Sequence, residues 1–152
     1  MSETTADQQI TITRVFDAPR ELVFRAWTDP DQVARWFGPE GMDTPRDTVQ
    51  IDLRVGGRYH LTMVGGGGGR EYAIRYEILE LVEPELLVLR SEPMPEVGLH
   101  NATVTRVELH EEAGGTRMTL TDGPYPDAAG GGAKAGWEGA FDKLAALVTG
   151  SR

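Results

Sequence analysis

Chemistry in this 152-residue chain has to come from its three histidines, its 24 carboxylates or its glycine runs. The absence of cysteine removes disulfides, thiolate catalysis and cysteine-based metal sites together. His60, His100 and His110 are scattered, and no pair stands at the i, i+4 spacing that puts two imidazoles on one metal. His60 and His110 fall out of phase with the apolar positions around them, as on an exposed strand face, whereas His100 sits near a loop within reach of a cavity mouth. Glu77, Glu80, Glu83, Glu85, Glu111 and Glu112 lie at expected strand ends and turns, which fits a solvated surface. Nothing matches the G-x-S-x-G elbow of a serine hydrolase. "GGGGGREY" (65–72) lacks the Lys-Ser/Thr of a phosphate loop and leads into a strand. "GGGAKAG" (130–136) precedes a helix, but alanine follows Lys134 and no strand feeds the loop, so nucleotide binding fails on context.

What remains is apolar surface, and its placement depends on the elements that carry it. "DPDQVARWFGPEG" (29–41) reads as a short helix with fixed ends. Asp29 suits the N-cap, Pro30 the first helical position, and Gln32 completes a capping-box-like spacing. Val33, Trp36 and Phe37 share one face, and Gly38–Pro39 end the helix. A strand over 10–16 ("ITITRVF") and a first helix from Pro19 to about Trp27 precede it. Strands are expected over 48–55, 58–64, 70–84 and 85–91, with a final hairpin across "AGG". The apolar phase in the 70–84 stretch slips after Ile78, which predicts a bulge. A Pro/Gly-rich loop over 123–132 leads to a last helix whose Trp137, Phe141, Leu144 and Val148 form one apolar face about three turns long. Consecutive strands followed by one long amphipathic helix predict an α+β two-layer fold, an antiparallel meander of about six to seven strands with that helix across its concave face.

Composition narrows the partners. The net charge of −9 argues against nucleic acid and anionic membrane surfaces, both of which need clustered Lys and Arg. The opening "MSETTADQQ" is polar and does not read as a secretory signal, and no stretch approaches the length of a membrane helix. A cytoplasmic location is expected, with residues 1–8 as a disordered tail and 9–149 as a single domain.

The order of elements, together with "FDAPRELVFRAWTDPDQVARWFGPEG", "DLRVGGRY" and "GWEGAFDKLAALV", resembles the bacterial branch of the heat-shock-protein ATPase activator homologue family. That family lies within the START-like, or Bet v allergen-like, superfamily (SRPBCC), and the resemblance covers about residues 9–149. It implies a helix-grip fold, a curved antiparallel sheet around a long C-terminal helix with a cavity between them. The superfamily includes lipid carriers, polyketide cyclases and hormone receptors. The eukaryotic co-chaperones that name the family carry an additional N-terminal domain that this chain does not resemble.

On this basis the expected function is non-enzymatic binding of a hydrophobic or aromatic small molecule, without cofactor or metal. The inward candidates are Trp36, Phe37, Met42, Tyr59, Leu61, Met63, Tyr76, Met118, Trp137 and Phe141, each of which either lines a cleft or closes a core. Of the adjacent aromatics, Phe37 is expected in the core and Trp36 on the cavity. Arg14 is in phase with Ile12 and Phe16: it either points inward towards an acidic ligand group or lies at a strand edge paired with a surface carboxylate. Three alternatives stay open. One is a co-chaperone-like module for a heat-shock ATPase, with a protein partner or a second copy. Another is sequestration of an enediyne-type antibiotic, as START-like proteins of some producers do; the 19 glycines offer stabilised Cα radicals to such a compound. The last is a cyclase pairing Arg14 with Tyr59, Tyr76 or His100.

Overall fold

The computed structural model describes residues 8–39, 41–65, 69–94, 101–125 and 127–149. The expected tail, apart from Gln8, and His100 lie outside them. Strand β1 (Gln8–Phe16) is followed by helices α1 (Arg20–Thr28) and α2 (Pro30–Trp36). Then come β2 (Met42–Asp43), β3 (Gln50–Ile51), β4 (Arg58–Gly65), β5 (Glu71–Val82), β6 (Leu86–Ser91), β7 (Val104–Glu112), β8 (Gly115–Tyr125) and the long helix α3 (Asp127–Thr149). All strand pairs are antiparallel, in the order β1-β8-β7-β6-β5-β4-β2, with β3 on β4. The sheet is a curved half-barrel gripping α3, the expected helix-grip architecture.

Local chemistry sets the boundaries of the helices. The Asp29 carboxylate caps α2 by accepting from the Asp31 amide at 3.0 Å, and Pro30 occupies the first turn. At the other end Phe37 N–H closes on the Val33 carbonyl, and Gly38 takes φ +109°, a conformation that disfavours any side chain. Between β7 and β8, Ala113 and Gly114 both have positive φ, as a tight two-residue hairpin requires. The phase slip in β5 is a bulge: Ile78 opposes Leu89, but Glu80 opposes Val88.

Two expectations fail. The alternation over 48–55 does not make a strand of that length. Residues 46–48 form a 3-10 turn, only Gln50–Ile51 pair with β4, and the chain turns back at once, leaving Leu53 and Val55 exposed. The segment 123–132 is not a loop either. Strand β8 runs to Tyr125 and α3 starts at Asp127, so the final helix spans 23 residues and takes in the second half of that stretch.

The core lies between the concave face of the sheet and the helices. Phe16, Trp27, Trp36, Tyr59, Leu61, Ile78, Met118, Leu120, Phe141 and Leu144 all fill it. Trp27 is at its centre, with the Trp36 ring 4.7 Å away and those of Trp137 and Phe141 at 5.9 and 6.2 Å.

Candidate functional site

The sequence of α3 decides where the packing stops. Its C-terminal half presents Phe141, Leu144 and Val148 to the sheet and closes the space completely. Earlier turns present Ala133, Gly136 and Ala140, with Trp137 the only large side chain among them, and small residues cannot reach β4 and β5. A cavity of about 590 Å³ is left there. Phe37, Gly38, Pro39 and Met42 border it after α2, Met63 comes from β4, and Tyr72, Ile74 and Tyr76 come from β5. Ser91, Met94, Thr103 and Tyr125 complete the wall. The volume is within the range of small-molecule sites, and most of the lining is apolar.

The expected site residues therefore divide. Phe37, Met42, Met63, Tyr76 and Trp137 border the cavity. Trp36, Tyr59, Leu61, Met118 and Phe141 lie behind it in the packed core. The roles expected of the adjacent aromatics are reversed. Trp36 is fully buried because its indole N–H donates to the Ala26 carbonyl at 2.8 Å, which draws the ring into the corner between α1 and α2. Phe37, at the end of α2 with extended backbone, turns towards Trp137, 5.6 Å away between ring centres. Tyr59 is also spent internally, donating to the Trp27 carbonyl at 2.5 Å; burial, then the neighbouring Tyr76, pushes its phenol well above the usual range.

Arg14 is absent from the cavity wall. Strand β1 is the sheet edge, and there the guanidinium donates to Asp142 on the solvent side of α3 at 2.8 Å. Neither the acidic-ligand role nor the pairing with Tyr59 or Tyr76 is assembled. An ion pair with an Asp142 side chain 66% exposed is screened by water, so Arg14→Ala is expected to cost no more than about 1 kcal/mol in urea unfolding. It should leave ligand affinity at the cavity unchanged.

Asp122 was missed from the sequence. It is 1% exposed, behind the polar wall of the cavity. Its Oδ2 accepts from Tyr125 Oη at 2.6 Å and from Trp137 Nε1 at 2.8 Å, and Oδ1 accepts from Thr105 Oγ1 at 2.8 Å. The Gly123 amide is a fourth donor. Burial raises its carboxyl pKa from the ordinary aspartate range, opposed by the hydrogen bonds from Tyr125, Trp137, Thr105 and Gly123. Burial likewise pushes up the phenols of Tyr76 and Tyr125, with the Asp122 charge adding to both, so these groups stay neutral hydroxyls at physiological pH. The strand phase held a signal for Asp122. Thr116, Met118, Leu120 and Asp122 alternate on the inward face of β8, and Thr105 precedes Val107 and Leu109 in the same way on β7. Following the Met118–Leu120 phase two residues further leads to the carboxylate.

A second groove, of about 700 Å³, runs past Arg54, Arg58, His60, Arg75 and Arg90. It is polar and solvated, with Arg54 on Asp52 and Arg90 on Glu77 at exposed positions. His60, its imidazole held below the usual range by partial burial and by Arg75 and Arg58, lies in this groove and not in the cavity.

A curved antiparallel sheet closed over a long C-terminal helix, with a cavity where the helix is lined by small residues, defines a START-like (SRPBCC) protein. Residues 17–149 match the family described as "Activator of Hsp90 ATPase homolog 1-like protein", and the chain belongs to that family. A crystal structure of a Chromobacterium violaceum protein is similar at TM-score 0.84 and 31% identity, covering 92% of this chain and 96% of that one. The solution structure of the AHSA1-like protein from Aeromonas hydrophila is similar at TM-score 0.79 and 25% identity, covering 95% and 94%. The crystal structure of CalU16 from Micromonospora echinospora is similar at TM-score 0.67 and 25% identity, covering 93% of this chain and 76% of that one. Comparison with curated proteins gives no match. Among the described residues, no helix is long and apolar enough to cross a membrane.

Proposed function

We propose that this protein binds a hydrophobic or aromatic small molecule in the cavity between the sheet and the first half of α3, without transforming it. The observation that carries this reading is the cavity of about 590 Å³, apolar on most sides and polar on one. Absence of catalysis is supported by the state of the polar groups. The buried carboxylate is saturated with donors, the two tyrosines beside it hold their protons, and His60 and His110 are on other surfaces.

Trp137 borders the cavity while Trp27 and Trp36 are sealed away from it, so tryptophan emission reports occupancy through one residue. Naphthalene is expected to change that emission saturably, and Trp137→Phe to remove the response. Gly136→Leu should fill the cavity from the helix side, where an added Cβ would meet only the Pro39 ring at ordinary contact distance, 3.7 Å. It is expected to weaken naphthalene binding at least tenfold with no loss of melting temperature, since leucine favours the helix over glycine by up to about 1 kcal/mol. Binding that survives Gly136→Leu would place the ligand elsewhere and sink the reading.

A further inference from the structure

The direction of the hydrogen bonds around Asp122 constrains what the polar wall can recognise, an inference that rests on the ligand-binding reading. A carboxylate offers only lone pairs, while an indole N–H and a backbone amide offer only a proton. With Trp137, Gly123, Tyr125 and Thr105 all donating to it, Asp122 is the anion, and the orientation of each neighbour follows from its single proton. The Tyr125 proton goes to Asp122, so the Tyr125 oxygen keeps only lone pairs for any further partner. Thr103 Oγ1 lies 2.7 Å from Ser91 Oγ, so one of these two hydroxyl protons is spent within the wall. On the other branch the Thr105 proton goes to Asp122 Oδ1.

The Tyr125 oxygen thus turns lone pairs towards the cavity, beside the Tyr76 and Ser91 hydroxyls that also border it. A buried negative charge lies directly behind them. We infer that the cavity selects neutral apolar molecules that bring a hydrogen-bond donor, such as phenols, and rejects carboxylates of the same shape. A donor on the ligand meets an acceptor, whereas a carboxylate meets lone pairs and the Asp122 charge in a low-dielectric site, with Arg14 held by Asp142 away from the cavity.

Naphthalene, 2-naphthol and 2-naphthoate share a ring system and separate these effects by calorimetric titration at pH 7. The phenol is expected to bind about tenfold tighter than naphthalene, the equivalent of one net hydrogen bond, and the carboxylate at least tenfold weaker than naphthalene. Asp122→Asn removes the charge and presents an amide N–H to Thr105. The naphthoate penalty should shrink at least tenfold in this variant. Should Asp122→Asn fail to fold, Tyr125→Phe decides instead: it removes one acceptor and keeps the charge, so naphthol falls towards naphthalene while naphthoate stays excluded. If naphthalene binds but naphthol gains nothing over it, or naphthoate binds as well as naphthol, the inference is wrong and the binding site stands. If none of the three binds, the ligand-binding reading falls and takes the inference with it.

Discussion

Trp36→Ala is expected to lower the free energy of unfolding by about 3–5 kcal/mol, the usual cost of truncating a fully packed large aromatic. The ring has no exposed surface and stands within 4.7 Å of Trp27, 5.4 Å of Phe37 and 6.3 Å of Phe141, centre to centre. Removing it opens a void under three other aromatics and leaves the Ala26 carbonyl without its indole partner. Against the roughly 5–15 kcal/mol that separates folded from unfolded domains, this is a large fraction. At about 2–4 °C per kcal/mol, the melting temperature should fall by roughly 10 °C. Urea unfolding should show a lower midpoint at unchanged m-value, because the surface exposed on unfolding hardly changes. Phe37→Ala provides the contrast. Its ring already faces a void, so the loss should appear chiefly in naphthalene affinity. A Trp36→Ala stability within about 1 kcal/mol of the parent protein would mean that the ring does not close the core as described.

The short helix that carries both aromatics illustrates how much was legible in the sequence. Asp29, Pro30, Gly38 and the spacing of Val33, Trp36 and Phe37 act locally, and the structure repeats them almost residue for residue. The bulge in β5 was legible for the same reason, since a slip of apolar phase has one geometric cause. Which of two adjacent aromatics meets the cavity depends instead on a hydrogen bond from Trp36 to Ala26, ten residues earlier on another helix. Alternation over Val49, Ile51, Leu53 and Val55 reports side-chain phase but not the presence of a partner strand, and β4 accompanies only two residues of that stretch. The glycines after Asp127 lower helix propensity, but a helix already nucleated further along gains a backbone bond for each residue it extends, and propensity yields. The void itself follows from what Ala133, Gly136 and Ala140 lack, and becomes visible only when the sheet is set opposite them. Asp122 was overlooked because single carboxylates are mostly surface residues. Its phase on β8 pointed inward, but the four donors that tolerate it there come from three different elements.

Asp122→Leu is expected to cost about 3 kcal/mol, although it removes a buried charge. Replacing a whole buried polar cluster with apolar groups is often neutral or favourable, but replacing one member leaves the others without partners. The Thr105 and Tyr125 hydroxyls can turn to other acceptors nearby, Tyr76 and Thr103 respectively. The Trp137 N–H cannot, and an orphaned buried donor costs about 1–3 kcal/mol, to which the Gly123 amide adds. The loss also unties α3 from β8, so amide exchange in the first turns of α3 should accelerate more than in β7. Asp122→Asn separates charge from hydrogen bonding. The side-chain amide it introduces can still accept from Tyr125 and Trp137 through its oxygen and donate to Thr105, so the cluster survives without the anion. Burial raises the folded-state pKa of Asp122 above its unfolded value of about 4, so the folded chain binds this proton more tightly. Its contribution to stability is therefore fully present below the unfolded value and is lost as pH rises through the folded one. An amide does not titrate, so the stability of Asp122→Asn relative to the parent should rise from about pH 4 towards neutrality and then level off. Urea midpoints taken across that range measure the difference directly. A difference that is flat, or that grows towards acid, would mean the four donors outweigh burial and hold the carboxyl below its unfolded pKa.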